Sequence, residues 1–139
     1  MKKDDCIFCK IANGEIPSDT VYEDENFRAI LDLSPAVKGH TLILPKSHFD
    51  DLTEADQATV YGAFALAQKI GCGVLKALGC DGFNVLQNNG EAAGQTVHHL
   101  HVHVIPRYNG GENIVSWPQL ASDPQEQAQI AEKIAKAIG

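Results

Sequence analysis

Seven consecutive residues, His99-Leu100-His101-Val102-His103-Val104-Ile105, constrain the fold of this 139-residue chain more than any other feature. Imidazole and aliphatic side chains alternate, which is the period of a β-strand. The pattern predicts a strand from Val97 to Ile105, ended by Pro106. His99, His101 and His103 would line one face, with Leu100, Val102 and Val104 in a core. Three uses of such a face compete: solvated imidazoles, a metal site, or a nucleophilic imidazole helped by its neighbours. A metal site would want a carboxylate close behind, but Val104-Ile105-Pro106-Arg107 follows. Arg107 and the flexible loop from Gly90 to Gln95-Thr96, with its backbone amides, suit a phosphate instead. Imidazole attack on phosphorus, followed by hydrolysis of the P–N bond, is the favoured reading.

Around this strand the chain reads as one α+β domain. Val21-Tyr22-Glu23 and Phe27 to Leu31 read as short strands joined by a polar turn, and Thr41 to Leu44, closed by Pro45, as a buried one. Thr53 with Glu54 and Asp56 suggests the start of a long helix. Its apolar positions are Val60, Phe64, Ala67, Gly71, Val74 and Leu78, and it stops near Gly79. Phe83 to Gln87 is a further strand. Asp123-Pro124 opens a C-terminal helix with Ile130, Ile134 and Ile138 on one face. The expected architecture is a mostly antiparallel sheet of about five strands with one long helix and a C-terminal helix.

Composition narrows the function. Eighteen acids against eleven bases give a net charge of −7, which argues against a nucleic-acid partner. No run reaches the ~18 consecutive apolar residues expected of a membrane span. The N-terminus has no apolar run behind Lys2-Lys3, so no signal peptide and a cytoplasmic location are expected. Cys6, Cys9, Cys72 and Cys80 are then reduced thiols or metal ligands, not a disulfide framework. Cys72 and Cys80, on or beside the long helix, read as buried thiols. His98 alternates away from the triad face and reads as a surface or edge residue.

The chain resembles the histidine-triad (HIT) family of nucleotidyl hydrolases and transferases. Besides the triad, matching blocks occur in order: Cys6-Ile7-Phe8-Cys9-Lys10-Ile11, Ile16-Pro17, Leu31-Asp32-Leu33-Ser34-Pro35, Gly39-His40-Thr41-Leu42-Ile43-Leu44-Pro45-Lys46-Ser47-His48 and Asn88-Asn89-Gly90. They cover about residues 5–108 of a single domain spanning 1–139, with the tail and helix of 109–139 outside them. The resemblance implies that His101 is the nucleophile, becoming nucleotidylated at the α-phosphorus, with one ring nitrogen held by the His99 carbonyl. It places His103 on the phosphate or leaving group and His40 near the leaving-group side. Thr96, Gln95, Asn88 and Gly94 belong to the implied phosphate-binding set. Asp32 would accept the ribose hydroxyls, with Leu33, Ile7 and Ile11 as walls for the base. Read without the resemblance, Asp32 is a turn-forming carboxylate before Ser34-Pro35.

Cys6-x-x-Cys9 alone is open to redox, metal and chance readings. Bacterial members of the family complete such a pair with two histidines, here His48 and His99, around one structural zinc, a good tetrahedral set. No organic cofactor is implied. The resemblance further implies a purine-nucleotide substrate, either a phosphoramidate or a dinucleoside polyphosphate, and a homodimer. The competing reading is a zinc-containing nucleotide sensor or interaction module whose catalysis is incidental.

Overall fold

A computed structural model describes all 139 residues. In chain order the elements are α1 (Ile7–Ala12), β1 (Thr20–Glu23), β2 (Phe27–Leu31), β3 (Thr41–Pro45), α2 (Gln57–Leu78), β4 (Gly82–Leu86), a 3-10 turn (Glu91–Ala93), β5 (Val102–Arg107) and α3 (Pro124–Ile138). The five strands form one antiparallel sheet in the order β1-β2-β3-β5-β4, the expected α+β architecture.

The sheet has two covered faces. Phe27, Ala29, Ile43, Val102 and Val104 meet Ala63, Leu66, Ala67 and Ile70 of α2 on one face. Ile30, Leu42 and Leu44 meet Ile11 and Ala12 of α1 on the other. This two-sided burial explains why β3 has no alternation: all five of its residues are buried. Sealing side chains such as Ile43 and Val104 from water contributes about 1.5–3 kcal/mol each.

The structure adds one element and changes several local expectations. The N-terminal Cys-x-x-Cys segment is helical: Cys6 is the N-cap of α1, its sulfur accepting from the Cys9 amide. The long helix starts later than Thr53, because Asp56 caps it by accepting from Thr59 N–H, while Thr53 closes a turn on Asp51. Its buried stripe is Ala63, Leu66, Ala67, Ile70 and Gly71, leaving Phe64 and Leu78 exposed. By length and composition α2 could cross a bilayer; in this fold it is the core helix. Cys72 lies on its exposed side, whereas Cys80 is buried as expected.

The histidine strand begins only at Val102, because Leu100 N–H bonds to Phe49 O, beyond β3, and so leaves the ladder. It runs through Pro106 to Arg107, which is tolerated because β3 pairing stops at Thr41 opposite Val104. The tail forms its helix as expected, with Asp123 as N-cap and Pro124 at the first turn. Every residue of α3 is exposed.

Candidate functional site: a histidine pair beside a Cys-His cluster

His103 pairs with Leu42 across β3 and β5, so the histidines stand on the α1 face of the sheet, opposite α2. The hydrogen bonds assign each ring a tautomer. His101 Nδ1 lies 2.7 Å from His99 O. A carbonyl only accepts, so Nδ1 carries the proton and Nε2 keeps a bare lone pair. The ring is buried, with its edges against Phe8 and His103 at centroid distances of 5.1 and 5.0 Å.

The neighbouring pair is ordered from the backbone. Ala36 N–H donates to His40 Nδ1 at 3.0 Å, so neutral His40 carries its proton on Nε2. That atom is 2.8 Å from His103 Nδ1, which must accept, leaving His103 with Nε2–H as a donor. Burial holds His40 and His101 below the ordinary imidazole range. Burial, followed by the neighbouring His101 and His40 rings, lowers His103 to about 4. All three are neutral at neutral pH: one bare nucleophilic nitrogen beside one N–H donor.

Asp32 serves two roles. Its Oδ1 accepts from Ser34 N–H in the turn, and its Oδ2 lies 3.7 Å from His40 Nε2. Asp32, His40 and His103 could also be read as a metal cluster. The His40 tautomer opposes this, because a metal on Nε2 would need a proton on Nδ1, where Ala36 N–H already donates.

The loop after β4 carries the residues expected to meet a phosphate. Leu86 pairs with His103, so the loop leaves the sheet beside the histidines. The Asn88 side chain makes no protein hydrogen bond, and the exposed Thr96 hydroxyl and amide have no protein partner either. Gly94 turns the loop with φ +92°, a conformation that side chains resist. Gln95 departs from expectation: it is buried, and its amide bridges Gly90 N–H, Asp50 O and Val97 O. It shapes the loop instead of presenting free donors. Arg107 also departs from expectation, its guanidinium binding Asn84 and the Glu112 carbonyl, about 13 Å along the strand from His103. Leu33 and Ile7 are exposed beside the site, but Ile11 belongs to the core and forms no wall. Two concavities of about 480 and 520 Å3 lie on the α2 face, away from this chemistry.

His99 points its ring elsewhere. Its Nε2 donates to Pro45 O at 2.9 Å, leaving Nδ1 bare. His48 Nε2 likewise donates to Asp50 Oδ1 at 2.7 Å. The two bare Nδ1 atoms are 3.2 Å apart, and Cys6 Sγ and Cys9 Sγ lie 3.4–3.5 Å from them. Two lone pairs cannot bond to each other, so a cation between them resolves the arrangement. Tetrahedral bonds of about 2.0–2.3 Å place ligand atoms about 3.3–3.8 Å apart; the three sulfur–nitrogen distances fall inside that range and the Nδ1 pair lies just short of it. Both imidazoles also have the outer hydrogen bonds that metal-bound histidines use. Sequence reasoning missed these two outer partners, Pro45 O and Asp50, along with the Ala36 amide. A carbonyl or backbone N–H carries no residue-type signal, and Asp50 lies in an ordinary acidic stretch.

Comparison with known proteins identifies the family. The HIT domain pattern matches residues 13–110. The chain is 42% identical to the protein hit of Bacillus subtilis (97% of this chain, 95% of the relative). It is 39% identical to the adenosine 5'-monophosphoramidase hnt1 of Schizosaccharomyces pombe (96% and 98%). A crystal structure from Streptococcus mutans superposes with TM-score 0.94 at 45% identity, covering 99% of this chain and 88% of that one. One from Bacillus subtilis gives 0.88 at 40%, covering 96% of both. A zinc-bound histidine-triad protein of Mycobacterium smegmatis gives 0.75 at 40%, covering 95% and 97%. The chain belongs to the HIT family.

Proposed function

We propose that the protein is a nucleotide hydrolase cleaving at the α-phosphate of an adenosine nucleotide through a covalent nucleotidyl-His101 intermediate. The observation that carries this reading is the His99 O···His101 Nδ1 hydrogen bond, which leaves Nε2 bare beside the His103 N–H donor. Nε2 gives its lone pair to phosphorus, a P–N bond forms, and the bond to the leaving group breaks with the leaving atom keeping the electron pair. His103 Nε2–H hydrogen-bonds that atom. Water then attacks phosphorus and breaks the P–N bond, its hydroxyl going to the nucleotide and its proton completing the leaving group. Asn88 and Thr96 bind the phosphate oxygens, and Asp32 Oδ2 accepts the ribose hydroxyls, with Leu33 and Ile7 against the base.

The phosphoramidate branch is favoured over dinucleoside polyphosphates by the named activity of the yeast relative, which matches nearly end to end. One structural zinc per chain, held by Cys6, Cys9, His48 and His99, anchors α1 to the start of β5 and takes no part in bond breaking. The functional unit is a homodimer. His101→Ala should lower kcat at least 10³-fold while nucleotide affinity stays within about tenfold, because the nucleophile acts mainly in the transition state. Mass spectrometry of acid-quenched turnover should show a nucleotidyl adduct in the parent protein alone. Retention of more than a few per cent of the turnover by the variant would overturn the covalent route.

A further inference from the structure

The Cys-His cluster reaches both halves of the candidate site. The carbonyl of His99 orients the His101 ring. From His48 a second line runs outward: its Nε2 donates to Asp50 Oδ1 at 2.7 Å, and Asp50 O accepts from Gln95 Nε2 at 2.7 Å. Gln95 Oε1 in turn accepts from Gly90 N–H at 2.8 Å. One imidazole therefore leads to the histidine strand and the other to the loop that carries Gly94 and Thr96.

The two sulfurs are unequally sheltered. Cys9 is fully buried, whereas Cys6 retains 9% of its exposure. Cys6 lines a concavity of about 290 Å3 with Lys3, Thr96, Val97 and His98, open enough for a small oxidant. Cys9 N–H donates to Cys6 Sγ at 3.4 Å, and the four candidate ligand atoms all lie within 4.8 Å of one another. Two thiolates in a tetrahedral zinc site stand about 3.8 Å apart. A disulfide draws them to about 2.05 Å and removes both negative charges. The pair holds a metal or forms a bond, never both.

We propose that Cys6 and Cys9 form a peroxide-sensitive latch, whose oxidation to a disulfide releases zinc and weakens nucleotide binding. This rests on the zinc and nucleotide readings above. The Cys6 thiolate attacks one oxygen of hydrogen peroxide, the O–O bond breaks, and hydroxide leaves a sulfenic acid behind. The Cys9 thiolate attacks that sulfur and expels a second hydroxide as the S–S bond forms. Two sulfurs have then given up two electrons, and the peroxide has become two hydroxides, which take up protons as water. Without a cation, the bare Nδ1 atoms of His48 and His99 face each other at 3.2 Å. Their repulsion parts the rings and strains both lines to the site.

A peroxide titration of the full zinc-loaded chain tests this, with Cys72→Ser removing the exposed thiol. A chromogenic chelator should register zinc release in step with a Cys6–Cys9 disulfide mapped by mass spectrometry. Affinity for adenosine 5'-monophosphate should fall about tenfold or more, the scale of a lost hydrogen bond to a charged group. The far-UV spectrum should be retained, and a dithiol with added zinc should restore binding. Stripping zinc from the reduced protein should cause the same loss, which separates the metal from the disulfide. Zinc kept through oxidation, Cys6 driven to a sulfinate without a disulfide, or affinity unchanged after zinc release would each overturn the proposal. Reduced protein free of zinc would overturn the metal reading and the latch together. A working latch in a protein that forms no His101 adduct would remove the covalent route alone.

Discussion

His99 divides its two ends between two sites. Its ring faces Cys6, Cys9 and His48, while its carbonyl orients the His101 ring two residues on. In the proposed mechanism a ring so committed transfers no protons, and His101 and His103 are the working pair. Asp32 shows a different economy, one oxygen closing the turn at Ser34 and the other facing the histidines. Asp32→Ala should therefore weaken ribonucleotide binding by about tenfold or more, the scale of a charge-assisted hydrogen bond, but 2′,3′-dideoxy analogues only slightly. Isothermal titration with both ligands checks this; equal losses would reduce Asp32 to its turn.

At the scale of elements, α1 and α2 hold the sheet from opposite sides by different means. α1 has only six residues and could not persist alone. Its N-cap cysteine and Cys9 tie it to His48 after β3 and to His99 before β5. Cys6→Ser should lower the melting temperature and abolish the further drop that a strong chelator causes in the parent protein. A parent protein that melts unchanged with chelator would leave α1 held by packing alone. α2 depends on close approach: a Cβ on Gly71 would lie 2.3 Å from the Phe83 ring. Gly71→Ala should cost about 1–3 kcal/mol through overpacking, read from a lower denaturation midpoint, despite alanine's better helix propensity.

The whole molecule should be sensitive to acid. His103 is lowered to about 4 and His40 is also lowered, both chiefly by burial. The unfolded chain therefore binds protons that the folded one refuses, and stability rises with pH in this interval. Stability should fall as pH drops from about 6.5 toward 4, and His103→Gln should flatten that slope in thermal melts. A parent slope identical to the variant's would mean that the pair is not held neutral by the fold. Much of this molecule was legible in its residues. The strands β1 to β4, the tail helix and the grouping of Cys6, Cys9, His48 and His99 follow from period, caps and family blocks, which are local or residue-type signals. The length of α1, the α2 start at Asp56, the early departure of His99 from the ladder and the true duties of Gln95 and Arg107 do not. Each depends on which backbone group lies opposite after folding: Phe49 O for Leu100, Pro45 O for His99, Ala36 N–H for His40 and Glu112 O for Arg107. A sequence determines which side chains can bond. Only the tertiary structure decides which carbonyl or amide meets them, because every residue but proline offers the same two backbone groups.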